Sequence, residues 1–143
     1  MSDPLIHTVP VSSDLGSLAL RLRREVFVIE QHVPPEVELD AYDLTCTHIV
    51  ALLDGDVVGT LRIVFLPEHA KFGRVAVAAS ARGKGIATKM VNFAMAFARN
   101  RGETRFYLTS QTDKVALYQK LGFTAYGAKF QDGGMPHLAM KNY

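Results

Sequence analysis

A run of β-branched and small residues, KFGRVAVA at 71–78, is followed by the glycine-rich stretch ARGKGIAT at 81–88. From Gly85 onward the apolar residues Ile86, Met90, Phe93, Ala94, Phe97 and Ala98 recur at the spacing of one helix face, up to a stop at Asn100-Arg101-Gly102. RFYLTSQ at 105–111 then reads as a second strand. Strand, helix, strand demands a crossover, and a crossover of that kind leaves its two strands parallel. Any fold for this chain must therefore hold one parallel strand pair.

The flanking segments point to antiparallel neighbours. THIVALL (47–53) and VVGTLRIVF (57–65) bracket Asp54-Gly55-Asp56, where glycine supplies the positive φ of a tight hairpin turn. TAYGAKFQ (124–131) and PHLAMKNY (136–143) bracket Gly133-Gly134 in the same way. LIHTVPV (5–11) is expected as a first strand that Pro10 ends or confines to an edge. Between the first two strands, Ser12, Ser13 and Asp14 are N-cap candidates, and Leu15, Leu18, Leu22, Val26 and Ile29 predict an amphipathic helix. Arg21, Arg23 and Arg24 fall on its expected solvated face. Pro34-Pro35 breaks it, opening an acidic loop or short helix. TDKVALYQKLGF (112–123) predicts a last short helix, opened by a capping box of Ser110 and Asp113 and closed at Gly122. The expectation is one α/β (α+β) domain over residues 1–143, with a mixed, mostly antiparallel sheet of about seven strands and about four flanking helices.

Composition narrows the function. Hydrophobic residues make up 48% of the 143, enough to bury one ordinary core. A net charge of +2, from 16 basic and 14 acidic residues, is too balanced for general binding to nucleic acid or an anionic membrane, so any anion site must be local. Cys46 is the single cysteine, which rules out an intrachain disulfide, and it reads as strand filler. No apolar run has the length of a signal peptide or membrane span, and a cytoplasmic location is expected.

The glycine loop has three possible readings. A Walker A loop needs glycine five residues before Gly-Lys and Ser or Thr after it, but Ala78 and Gly85 stand there. A dinucleotide loop fails at its third glycine, Thr88, and its ribose-binding acid is misplaced, since Glu103 lies in the turn before the next strand. What remains is Arg82-x-x-Gly85-x-Ala87 just past a strand. There the first helix N–H groups lack partners, the helix dipole is positive, and glycines let a pyrophosphate approach the backbone. Arg82 and Lys84 add positive charge.

GRVAV…ARGKGIA followed by LTSQ…ALYQKLGF resembles the GNAT superfamily of acetyl-CoA-dependent N-acetyltransferases, in element order over residues 5–143. VFVIEQHVPPEVELDAYD and GGMPHLAMK resemble one largely bacterial branch of it. The resemblance implies an acyl-CoA N-acyltransferase fold and acetyl-CoA as co-substrate. It implies that amides from Arg82, Gly83, Lys84, Gly85, Ile86, Ala87 and Thr88 hold the pyrophosphate of coenzyme A. The pantetheine arm would pair with Val75, Ala76 and Val77 where their strand parts from the one ending at Gln111, as in β-augmentation. Many members have a small residue where this chain has Lys114, and Asn where it has Gln111.

Tyr118 carries the general-acid role that the resemblance implies: a phenol that protonates the departing thiolate. The alternative is structural, a helix-end residue packed on Phe123 in a Schellman ending. For the base, Glu30, Glu36, Glu38 and Asp40 cluster around the proline break, and Glu30 is the first choice because it ends the helix at a turn. Together these acids hint at a cationic or amine acceptor, set against a plain solvated acidic loop. His7, His48 and His69 read as strand or loop residues, and His32 and His137 as possible site residues. No pair has zinc-ligand spacing, so no metal is expected.

The function expected is acetyl transfer to a primary amine of a small molecule or peptide. The competing class is an acyl-CoA-binding sensor without turnover. Edge strands could pair two copies into a homodimer.

Overall fold

The structure is a computed structural model that describes residues 3–143. One sheet of seven strands runs in the order β1-β2-β3-β4-β5-β7-β6. These are β1 (Leu5–Val9), β2 (Thr47–Leu53), β3 (Asp56–Phe65), β4 (Ala70–Val77), β5 (Phe106–Gln111), β6 (Thr124–Asp132) and β7 (Met135–Lys141). Every neighbouring pair is antiparallel except β4 and β5. That parallel pair is the one the crossover requires, and it sits at the centre. β1 does lie at an edge and ends before Pro10.

The helices are α1 (Asp14–Arg23), α2 (Pro35–Glu38), α3 (Ile86–Asn100) and α4 (Val115–Lys120). Alternation along β2 assigns them to opposite faces: Ile49 and Ala51 join the core beneath α3, and Val50 packs with Val9 and Ala19 beneath α1. Met90, Val91, Ala94 and Ala98 of α3 fill that first core, and Phe93 and Phe97 lie only partly in it. Gly59 of β3 lets α3 seat closely, since a Cβ there would stand 3.0 Å from the Met90 side chain and 3.1 Å from Ile86.

Three expectations need correction. The first helix does not continue to Gln31 as one α-helix: it is capped by Ser13, ends at Arg23, and widens into a π-helical segment over Arg24–Glu30. Within α1 the buried face runs through Gly16, Ala19, Leu22 and Arg23 and leaves Leu18 exposed, and past the widened turn Val26 stays buried while Ile29 is exposed. Arg23 is thus not solvated but 1% exposed. No capping box opens the 112–123 segment. Ser110 stays inside β5, its hydroxyl donates to the Gln111 carbonyl, and a 3₁₀ turn at Thr112–Lys114 leads into α4. No helix among the described residues is long and apolar enough to cross a membrane.

Candidate active site

β4 and β5 pair only at Ala70↔Phe106, Lys71↔Tyr107 and Phe72↔Leu108, and then part. The cause lies on the other edge of β4. Against β3 its register runs from Thr60↔Ala76 to Arg62↔Gly73, so Arg74 and Val75 together face Leu61 in a β-bulge. Arg74 takes φ +51°, a left-handed conformation that a residue with a Cβ adopts rarely and that its surroundings must hold. Its guanidinium supplies the hold, with Nε donating to the Glu38 carbonyl at 3.0 Å and Nη2 to the Val37 carbonyl at 3.3 Å. Beyond Phe72 the β5-facing edge of β4 therefore has no ladder partner. A cleft of about 860 Å³ runs through the gap, lined by Val75, Ala76, Val77 and Gln111.

At one mouth, a 3₁₀ turn at Ala79–Ala81 leads to Gly83 and Gly85, with φ +79° and +76°. Gly85 is the N-cap of α3, and no side chain caps that helix. The first intrahelical bond comes from the Lys89 N–H to the Gly85 carbonyl, so the amides of Ile86, Ala87 and Thr88 have no partner within the helix. An ideal Cβ built on Gly83 or Gly85 meets nothing within 4 Å. The cradle is open, electropositive and lined by backbone, as a diphosphate requires.

Arg82 does not extend toward that cradle. Its Nε donates to the Val77 carbonyl at 3.0 Å, and its two Nη atoms donate to the Glu30 carboxylate at 2.7 and 2.8 Å. Those bonds hold the Glu30 carboxyl below its ordinary range. Glu30, the base expected from the turn, is thus engaged in an exposed ion pair with Arg82. The next residue, Gln31, accepts a bond from Gln111 Nε2 at 3.0 Å. Two consecutive residues of the π-helical end thereby tie the helix to both walls of the parted strands. No sequence signal marked Gln31, because neutral side-chain pairing between distant segments leaves no spacing to read.

Glu38 and Asp40 of the acidic loop are likewise paired, as is Asp43. Arg23 Nε donates to Glu38 at 2.5 Å, and its Nη1 and Nη2 donate to Asp43 at 2.6 and 3.1 Å. Arg62 donates to both oxygens of Asp40, at 2.7 and 2.8 Å, and to Asp43 at 2.9 Å. Arg74 reaches Asp40 at 3.4 Å. Three arginines thus meet Glu38, Asp40 and Asp43, while Glu36 stays exposed outside the network. Asp43, Cys46 and His48 also approach one another. The Asp43 carboxylate is taken by arginines, however, and His48 Nε2 bonds the Asp43 carbonyl at 2.9 Å, so the group is built as an ion-pair network.

Tyr118 stands in the last turn of α4 and also faces the cleft. Gly122 takes φ +99°, its N–H bonds the Gln119 carbonyl, and the Phe123 N–H bonds the Tyr118 carbonyl, which together make a Schellman ending. The Tyr118 ring meets Phe123 edge-on at 6.2 Å. The same side chain lines the cleft and is 6% exposed, and burial pushes its phenol up to about 12. His137 of β7, opposite Gln111 in register, lines the cleft as well, and His32 does not.

A family model for the GNAT acetyltransferases matches residues 18–123. The chain belongs to the GNAT acetyltransferase family. Among curated relatives, the N-acetyltransferase YjcF of Bacillus subtilis is 35% identical over 123 residues, covering 85% of this chain and 88% of its own. An acyl-CoA N-acyltransferase from Pseudomonas aeruginosa is similar in structure, at 27% identity and TM-score 0.86, covering 98% of this chain and 99% of its own. Escherichia coli ElaA aligns at 26% identity and TM-score 0.86, over 98% and 99%. A parted β4–β5 pair ahead of a glycine-opened helix is thus carried here on a GNAT fold.

Proposed function

We propose that this GNAT protein transfers the acetyl group of acetyl-CoA directly to a primary amine. The observation that carries the reading is the parted strand pair ending in an open, uncapped helix cradle. One wall offers unpaired backbone to an amide-bearing arm, and the cradle suits the diphosphate to which such an arm is joined. The amides of residues 82–88 hold the pyrophosphate, with Lys84 adding charge, and the open edge of Val75, Ala76 and Val77 takes the pantetheine. Arg82 acts in this scheme by fixing the loop to Val77 and Glu30 rather than by touching phosphate. When bound, acetyl-CoA supplies the activated acyl group, and an N–H of the bulged strand is placed to stabilise the oxyanion. Tyr118 donates its proton to the departing thiolate, a role that suits a phenol kept protonated by burial.

Two measurements test this. Calorimetry with coenzyme A should show saturable binding. Thiol release from acetyl-CoA should then be followed against a panel running from n-butylamine through polyamines and amino sugars to peptides with free N-termini, and at least one class should accelerate it. Binding without transfer to any amine would make the protein an acyl-CoA sensor instead.

Gly85→Ala probes the cradle itself. Its φ of +76° costs a Cβ-bearing residue about 1–2 kcal/mol, and the new methyl enters the open face. Coenzyme A affinity should fall about tenfold or more, an energy of about 1.4 kcal/mol, while far-UV circular dichroism stays native. Unchanged affinity would move the anion site elsewhere.

A further inference from the structure

We propose that His137 accepts the proton of the incoming amine. This rests on the acyltransfer reading above and assigns a residue that reading leaves open. His137 is 8% exposed, stands in register with Gln111 at the end of β5, and lines the cleft where β4 and β5 part. Its Nδ1 lies 2.8 Å from the Met135 carbonyl. A carbonyl only accepts, so that contact fixes the proton on Nδ1 and leaves the lone pair on Nε2. The ring stacks on Phe130 at 5.9 Å, which sets its plane. Among the described residues no buried side-chain nitrogen or oxygen lacks a partner, and Nε2 has none within the protein. Nε2 therefore opens to the cleft.

The other groups on the cleft wall do not compete. Glu30, Glu38 and Asp40 are each held by an arginine. Asp113, in the turn before α4, and Asp132, two residues beyond Phe130 on β6, are exposed carboxylates, and a carboxylate is a weaker base than imidazole by about two pK units. Lys71 of β4 is a cation above the Tyr107 ring. Around His137 itself, β5 presents neutral Gln111, β6 presents Phe130 with Lys129 and Asp132 as the flanking charges along that strand, and Glu30, also on the cleft wall, is already paired with Arg82. Among the described residues, His137 is the one imidazole lining this cleft.

The step balances as follows. His137 Nε2 takes one proton from the substrate ammonium and passes it to solvent, which frees the nitrogen lone pair. That nitrogen bonds to the thioester carbon, the C–S bond breaks, and the sulfur takes the Tyr118 proton. The proton still carried by the new amide nitrogen returns to the Tyr118 oxygen. Ammonium and thioester become amide, thiol and one released proton.

His137→Asn separates chemistry from structure, because the Asn amide can keep the bond to the Met135 carbonyl but offers no basic nitrogen. With acetyl-CoA and the best amine of the panel, kcat/KM should fall by about 10²–10⁴-fold. The acid limb of the wild-type pH profile should flatten, and added imidazole should restore part of the rate. Coenzyme A affinity and thermal midpoint should match wild type. Nitrogen-15 spectra of the wild-type histidines should show the His137 proton on Nδ1. A variant that keeps its rate and acid limb while wild type transfers, or a proton found on Nε2, overturns the assignment of His137 alone. If wild type transfers to no amine, the function reading fails first and the base falls with it.

Discussion

Arg23→Met is expected to destabilise the protein by about 3–5 kcal/mol, the cost of leaving buried carboxylates without their cation. For a chain of this size that lowers the thermal midpoint by about 6–20 °C, a large part of the stability of any single domain. Arg23 is 1% exposed and is the common partner of Glu38 and Asp43, which belong to separate turns. Without it, Asp43 keeps Arg62, but Glu38 keeps only Arg74 at 4.0 Å. The methionine fills much of the volume, so the loss reports charge rather than a cavity. Arg23→Lys should fall between the two, because one ammonium cannot reproduce a fork that serves two acids. A midpoint for Arg23→Met within 2 °C of wild type would mean the network is dispensable.

The pH dependence follows from the same groups. Burial alone would raise the Asp43 carboxyl, but bonds from Arg23 and the Asp40 amide, with the charges of Arg23 and Arg62, outweigh it and hold it well below the carboxylate range. The bond from Arg62 likewise lowers Asp40. A carboxyl whose folded pKa is depressed adds stability above its unfolded pKa, and that stability is lost as pH falls toward the folded value. Wild type should thus lose stability steeply below about pH 4. Arg23→Met should show a shallower loss, since part of the depression is gone.

The same network explains what could be read in advance and what could not. The hairpins around Gly55 and Gly133, the parallel crossover and the glycine-opened helix all follow from short-range rules: positive φ, period two, period 3.6. Tertiary pairing decided the rest. Arg23 looks like a surface cation because its partners lie 15 and 20 residues downstream. Glu38 and Asp40 look like part of a solvated or acceptor-facing acidic loop because their arginine partners on β3 and β4 are far from them in sequence. Gly73-Arg74 inside a strand run carries one local mark of the bulge, a glycine in the strand interior. The break of Ile29 from the expected buried face follows the π-helical segment, which shifts the period by one residue, and Glu30 and Gln31 at its end line the cleft.

The second large effect concerns Tyr118→Phe, where turnover should fall by about 10²–10⁴-fold. Coenzyme A affinity and the thermal midpoint should remain those of wild type. The contrast is sharp because the packing role of Tyr118 does not need its oxygen. The Schellman bonds come from backbone, and a Phe ring can meet Phe123 edge-on equally well. Among the described residues the hydroxyl has no hydrogen-bond partner, and since no buried polar atom is orphaned it reaches the cleft. Removing it therefore strands no donor and opens no cavity, and stability has no reason to change. Only a proton delivered to the departing sulfur would be missed, and that loss falls on kcat because the ground state binds the same thioester. Steady-state thiol release, with titration of coenzyme A on the same preparation, decides between the roles. Wild-type turnover in the Phe variant would leave Tyr118 as a helix-ending residue alone, and the thiolate would have to take its proton from water.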